Sequence, residues 1–190
     1  MPNDLYQTPP PWDIGRPQPA FAALAESGAI TGRVLDVGCG TGEHALMCAG
    51  LGLDTTGVDL AATALRAADA KARDRGRTAR FLMRDARNLA ELGESFDTVL
   101  DCGLFHIFGG DNRTAFVDSV RSVLSPGGRY FMLGISDREP GEWGPHKLTR
   151  EEIRAAFARG WRVDSVEPSM IDLTVDPGSI HAWLTAVTGI

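Results

Sequence analysis

Three glycines on alternate positions, Gly38, Gly40 and Gly42, follow an aspartate, Asp36, in the stretch VLDVGCGTGEHA (Val34 to Ala45). Glycine costs conformational entropy, so this spacing marks a backbone that bends sharply or lets another group come close. A turn of this kind between an apolar run and a helix aims backbone N–H groups and the positive end of the helix at a ligand. A second acid, Asp59, closes the next apolar run, where a carboxylate can accept the two hydroxyls of a ribose. Together these residues read as a nucleoside site. Further along, Asp101 precedes His106 by five positions, and a histidine there is a candidate general base.

These residues need elements to hold them, and the sequence supplies an alternating series. RVLDVG reads as a first buried strand, GEHALMCAGLG as a helix, DTTGVDL as a second strand and AATALRAADAKARDRG as an alanine-rich helix. ARFLMRDA and SFDTVLDCG are strands three and four. DNRTAFVDSVRSVLSPGG is a helix with Asp111 as its cap and Pro126-Gly127-Gly128 as its stop, and RYFMLGIS is strand five. Alternation from residue 33 to 135 predicts a parallel sheet with helices on both faces. TREEIRAAFARG follows as a helix capped by Thr149. WRVDSVEPSM and SIHAWLTAV, two strands with no helix between them, predict an antiparallel pair closing the sheet. Before the first strand, AFAALAESGAI reads as a short helix, and residues 1 to 18, rich in proline, read as an arm.

Composition narrows the possibilities. A chain of 190 residues suits one domain, 1–190. The formal charge of −6 disfavours nucleic acid as a partner, since a phosphate-backbone binder needs a basic surface. No apolar run approaches the roughly 20 residues that span a bilayer, and the N-terminus has no apolar signal core, so the expectation is a cytoplasmic protein without membrane contact. Cys39, Cys48 and Cys102 form no C-x-x-C pair, and no cluster has metal-ligand spacing, so no metal is expected.

Two ligands compete for the glycine turn. GTGEHA (Gly40 to Ala45) fits the dinucleotide pattern G-x-G-x-x-G/A, with Asp59 near the usual offset. Against NAD stand Asp36, which would repel a pyrophosphate, the lack of room for a substrate domain, and the lack of a lysine four residues after Tyr6 or Tyr130. LDVGCGTG resembles instead the first motif, D-x-G-x-G-x-G, of class I S-adenosylmethionine-dependent methyltransferases. GVDL, RDA (Arg84 to Ala86), FDTVLDCG and LSPGGRYFML resemble the family's later motifs in the family's order. The resemblance implies a Rossmann-like, doubly wound α/β sheet of seven strands in the order 3-2-1-4-5-7-6, with strand seven antiparallel. It also implies S-adenosylmethionine as cofactor and S-adenosylhomocysteine as product. Carried over by residue, Gly38, Gly40 and Gly42 would line the methionine part and Asp36 would help hold its amino group. Asp59 would take the ribose and Leu60 would pack on the adenine. Asp85 by its carboxylate and Ala86 by its backbone N–H would meet the adenine edge, and Asp101 and Cys102 would flank the methyl-bearing sulfur.

The acceptor is read from what surrounds this frame. The segment after strand four, DCGLFHIF, lacks the N/D-P-P-Y/F motif of nucleic-acid amino methylases. PPWDIGRPQPAF resembles the PWD-x-G arm of thiol/halide and thiopurine-like methyltransferases and of bacterial phenol and quinone methyltransferases, which implies an arm covering the site with Trp12 near the cofactor. A small acceptor, aromatic or thiol, follows, with O, S and N acceptors all open. His106 is the expected base. Phe21, Phe105 and His106, with Leu104 and Phe108, would line the acceptor pocket, and Trp143 could stack on an aromatic acceptor. Trp143 and His146 lie after strand five, where a lid would be built. His44 and His181 read as structural. A monomer or homodimer is expected. The alternatives are an NAD-dependent oxidoreductase and a non-catalytic S-adenosylmethionine-binding protein.

Overall fold

The computed structural model describes residues 2–190; Met1, the first residue of the expected arm, lies outside the described residues. In chain order it runs α1 (Pro19–Glu26), β1 (Val34–Val37), α2 (Glu43–Gly50), β2 (Thr55–Asp59), α3 (Ala62–Asp74), β3 (Arg80–Met83), β4 (Phe96–Cys102), α4 (Gly110–Val123), β5 (Leu124–Ile135), α5 (Arg150–Ala156), β6 (Trp161–Asp172) and β7 (Ser179–Gly189), with short 3-10 helices at Pro2–Tyr6, Ala86–Leu92 and Phe105–Ile107. β1 is buried at all four positions, and a strand with no polar face belongs in the middle of a sheet covered on both sides.

The sheet order is β3-β2-β1-β4-β5-β7-β6. β1 pairs in parallel with β2 and β4, and β7 runs antiparallel to both β5 and β6, as the sequence implied. β5 shows how the two cores are divided. Tyr130 and Met132 enter a core with Phe105, Phe116, Phe157 and Trp161, while Phe131, Leu133 and Ile135 enter the opposite one with Phe21, Ile30 and Leu100. That is the period of two expected of a strand buried on both faces.

Local chemistry sets the boundaries. Thr149 caps α5 in a full capping box: its hydroxyl accepts from the Glu152 N–H at 3.1 Å, and Glu152 Oε2 accepts from the Thr149 N–H at 2.9 Å. Two expectations need correction. Gly109, not Asp111, is the N-cap of α4, with no side-chain cap bond; Asp111 sits in the first turn. α4 also stops at Val123, before Pro126, because the residue preceding a proline is pushed out of helical geometry. Leu124 is therefore already strand and pairs with Phe96, and the β4–β5 register shifts before Thr98 to absorb the Pro-Gly-Gly corner. Among the described residues no helix is long and apolar enough to cross a membrane.

Candidate active site

The glycine turn lies at the carboxyl end of β1, beside the end of β2. The Cys39 N–H donates to Val58 O at 2.9 Å, which ties the turn to β2. Gly42, with φ of +84°, ends it as the N-cap of α2, and a Cβ there would lie 2.8 Å from that of Ala68. Asp59 accepts from the Gly40 N–H through Oδ2 at 2.9 Å and from the Ala61 N–H through Oδ1 at 2.8 Å. Each oxygen keeps a further lone pair, so the carboxylate can still accept from a diol. Leu60, next along, is 45% exposed, an apolar side chain beside that carboxylate.

Asp36 is sealed beneath the turn rather than standing in it. Its Oδ2 accepts from the Ala45 N–H of α2 at 3.1 Å, and burial, with Asp101 and Asp59 nearby, pushes it up to about 8. The unfolded chain loses this proton near the ordinary value of 3.8, and the folded chain holds it to about 8. The contribution to stability is therefore complete below the lower value and lost as pH rises through the upper one. We expect the melting temperature of the ligand-free protein to fall between about pH 4 and pH 8 and to level off above that, and Asp36→Asn to flatten the fall. A thermal-melt series in which Asp36→Asn keeps the wild-type slope would remove Asp36 as its source.

The arm lies across the turn. Thr41 donates its hydroxyl to Asp13 Oδ2 at 2.8 Å, and Lys71 reaches both Thr41 Oγ1 and Glu43 Oε1 at 2.7 Å. Burial alone would raise the Glu43 carboxyl, but Arg75 and Lys71 hold it below the ordinary range. Gln18, almost fully buried, fixes the root of the arm. Its backbone N–H donates to His44 Nε2 at 3.1 Å, its amide N–H to Asp172 O at 3.0 Å, and its Oε1 accepts from the Asp172 N–H at 2.8 Å. Tyr6 hydrogen-bonds to Trp12, and burial together with the Asp59 charge raises its phenol. A Cβ on Gly40, whose φ is +51°, would lie 2.7 Å from the Tyr6 hydroxyl. Between arm and turn, Tyr6, Trp12, Gly38, Gly40, His44 and Cys102 line a cavity of about 50 Å³. A ligand site is typically ~300 Å³ or more, so the arm in this position leaves less room than a nucleoside fills.

At the end of β4 several expected roles change. Asp101 is fully buried and its oxygens are engaged: Tyr130 donates its hydroxyl at 2.6 Å, and the Leu104 and Phe105 N–H groups donate at 2.8 and 3.0 Å. It clamps the turn after β4 and has no free face toward a reacting atom. Phe105 is fully buried, stacked on Phe157 with centroids 5.5 Å apart, and Phe21 packs in the opposite core against His44 at 4.7 Å. Neither is a pocket wall, because each points along the buried face of its element. Asp85 caps the 3-10 helix and pairs with Arg87, whose guanidinium lowers its carboxyl; both oxygens are thereby taken, while Ala86 begins that helix, buried.

His106 is also corrected as a base. The backbone N–H of Ile135 donates to His106 Nδ1 at 3.1 Å, so Nδ1 is bare and the proton of the neutral ring sits on Nε2. Burial, and His146 nearby, pull its pKa down to about 4, which keeps the ring neutral. His106 is thus an N–H donor. A Cβ on Gly103, next to Cys102, would lie 3.7 Å from His106 Nε2.

A second, more open cavity of about 500 Å³ begins on the other side of His106. Ile107, Phe108, Arg113, Pro145, His146 and Glu152 complete its wall with Gly109 and Gly110. Trp143 stays outside both cavities, with its ring 5.3 Å from Lys147 Nζ. Sequence reasoning missed Tyr6, Gln18, Arg113 and Glu152. The capping box was the one local signal for Glu152, and nothing local distinguishes Arg113 from any surface arginine.

Comparison with known proteins agrees with this geometry. Residues 34–128 match the model of a methyltransferase domain. The chain is 35% identical over 166 residues to the 2-heptyl-1-hydroxyquinolin-4(1H)-one methyltransferase of Mycobacteroides abscessus, covering 85% of this chain and 73% of the relative. It is 32% identical over 147 residues to a probable thiol methyltransferase of Arabidopsis thaliana, covering 75% and 64%. A structure solved for the conversion of a disulfide bond into a thioacetal group during echinomycin biosynthesis superposes with a TM-score of 0.87 at 40% identity, covering 96% of this chain and 86% of that one.

Proposed function

The chain belongs to the class I S-adenosylmethionine-dependent methyltransferases, and from that premise we propose that it methylates a small acceptor, aromatic or thiol, held beside the cofactor under the N-terminal arm. One observation carries the reading. Asp59 stands at the carboxyl end of β2 with both oxygens fixed by turn N–H groups and lone pairs to spare, against a concave backbone that a Cβ on Gly40 would fill. Those residues fit a nucleoside with an amino-acid tail: Asp59 for the ribose, the Gly38–Gly42 turn for the tail, Leu60 beside the base. When bound, S-adenosylmethionine supplies a methyl carbon on a positively charged sulfur, and the bond to the acceptor forms as the carbon–sulfur bond breaks with its electron pair left on sulfur.

The protein's part is orientation and exclusion of water, which for an in-line displacement can supply most of the acceleration. Asp13, latched to Thr41 and Lys71, keeps the arm over the turn. Trp12, 45% exposed, offers an aromatic face in the same cavity. His106 Nε2–H, at the Gly103 edge, donates a hydrogen bond to an acceptor atom reaching in from the second cavity. The relatives named for a hydroxyquinolone and a thiol support a small acceptor, and the net charge of −6 supports one other than nucleic acid.

Titration calorimetry with S-adenosylmethionine, S-adenosylhomocysteine and NAD tests the reading. Micromolar binding of the first two without NAD is the expected result. Binding of NAD alone overturns it. Tight binding with no methyl transfer across a screen of phenols, thiols and quinols favours a non-catalytic binding protein.

A further inference from the structure

The cavity beyond His106 carries a pair of groups that the reading so far does not use. His146 Nε2 lies 2.7 Å from Glu152 Oε1. A carboxylate only accepts, so Nε2 bears the proton and Nδ1 of the neutral ring is bare. Glu152 cannot drift from this contact. Its other oxygen accepts from the Thr149 N–H, its own N–H donates to the Thr149 hydroxyl, and the Arg113 guanidinium stands 3.8 Å away. Burial would raise the Glu152 carboxyl, but Thr149, His146 and Arg113 hold it below the ordinary range, so it stays charged. Arg113 is itself pinned, with Nε donating to Phe108 O at 2.9 Å.

Two imidazoles of opposite tautomer therefore line one cavity. His106, set by the backbone of β5, presents an N–H. His146, set by a carboxylate on α5, presents a lone pair. A histidine oriented by a fixed carboxylate is the arrangement of a general base with its orienting partner. Ile107, Phe108 and Pro145 make the remaining wall apolar, and about 500 Å³ accommodates a one- or two-ring molecule.

The geometry points to His146, oriented by Glu152, as the general base for an acceptor that arrives protonated, and so to a hydroxylated aromatic as the substrate class. This rests on the methyltransferase reading above. In the step, the acceptor hydroxyl proton passes to His146 Nδ1, giving an imidazolium that Glu152 stabilises. The oxygen lone pair so freed forms the new bond to the methyl carbon, and the imidazolium later releases its proton to water. The charged and titratable groups facing His146 are Glu152 and Arg113, from α5 and α4, and the neutral His106 after β4. Glu152 is a positioning residue.

Two readouts test this. Without cofactor, 4-nitrophenol is titrated with protein at a pH where the free probe is mainly neutral. Wild type is expected to raise the visible phenolate absorbance on binding, and His146→Ala to abolish the rise. With S-adenosylmethionine, 2-naphthol (protonated at neutral pH) is compared with thiophenol (ionised). His146→Ala should slow transfer to 2-naphthol about 10²–10³-fold and change transfer to thiophenol by less than about threefold. Glu152→Gln, which keeps the capping geometry, should slow 2-naphthol about 10-fold and leave thiophenol within about threefold, because only the protonated acceptor forms the imidazolium that loses its partner. The side chain of His146 is 52% exposed, so its replacement leaves the core intact. Equal slowing of both acceptors, or a phenolate signal unchanged in His146→Ala, overturns the proposal. So does a wild type that binds S-adenosylmethionine but methylates neither probe. A wild type that binds no S-adenosylmethionine overturns the function itself.

Discussion

Asp101→Ala is expected to lower the unfolding free energy by about 3–5 kcal/mol, since it strands three buried donors at once. The Tyr130 hydroxyl and the Leu104 and Phe105 N–H groups all lose their acceptor, and the site lies where no water replaces it. A domain of this size has about 5–15 kcal/mol in total, so the variant loses a large part of it and melts about 10 °C lower. Tyr130→Phe removes one bond and leaves the backbone donors satisfied, so it should cost roughly 1–2 kcal/mol. Urea unfolding of the three proteins makes the comparison. An Asp101→Ala variant within about 1 kcal/mol of wild type would show that the carboxyl does not clamp the turn.

Asp59→Ala is expected to act on binding instead. It removes the acceptor for the Gly40 and Ala61 N–H groups and the lone pairs offered to the ribose. Hydrogen bonds to a charged group contribute about 1.5–3 kcal/mol each, so affinity for S-adenosylhomocysteine should fall about 100-fold, or ~2.7 kcal/mol. The group is partly buried at a strand end, and its loss should leave the melting temperature within a few degrees of wild type. Calorimetric affinity within about threefold of wild type would take Asp59 out of the site.

The glycine turn and Asp59 stood out because their signals are local, alternate glycines after a strand and an acid closing the next, whereas the strand order came from the resemblance of the ordered motifs to a known family. What was illegible depended on distant partners. Asp101 looked catalytic at the end of β4 until Tyr130, 29 positions away, took its oxygen. His106 looked like a base until the Ile135 N–H, equally distant in sequence, fixed its tautomer. Phe21 and Phe105 were apolar residues near the right segments, but which face they turn to is decided by the sheet they pack on. His146 was singled out in the loop after β5, whereas its partner Glu152 on α5 went unremarked because the sequence shows only the Thr149 cap beside it.

The root of the arm has a consequence for how the molecule is made. Arg16 pairs with Asp172 across 156 positions, Gln18 binds the same residue's backbone, and the Thr174 N–H reaches Pro11 O. The arm leaves the ribosome well before its partners in the β6–β7 hairpin, which follow 154 to 156 positions later. Joining segments so far apart costs loop entropy that only the finished hairpin repays. The nascent chain can assemble β1 to β4 and the glycine turn while the arm still has nothing to dock on. Closure over the site thus waits for the β6–β7 hairpin, and a chain cut short before residue 172 would carry the turn and Asp59 without a cover.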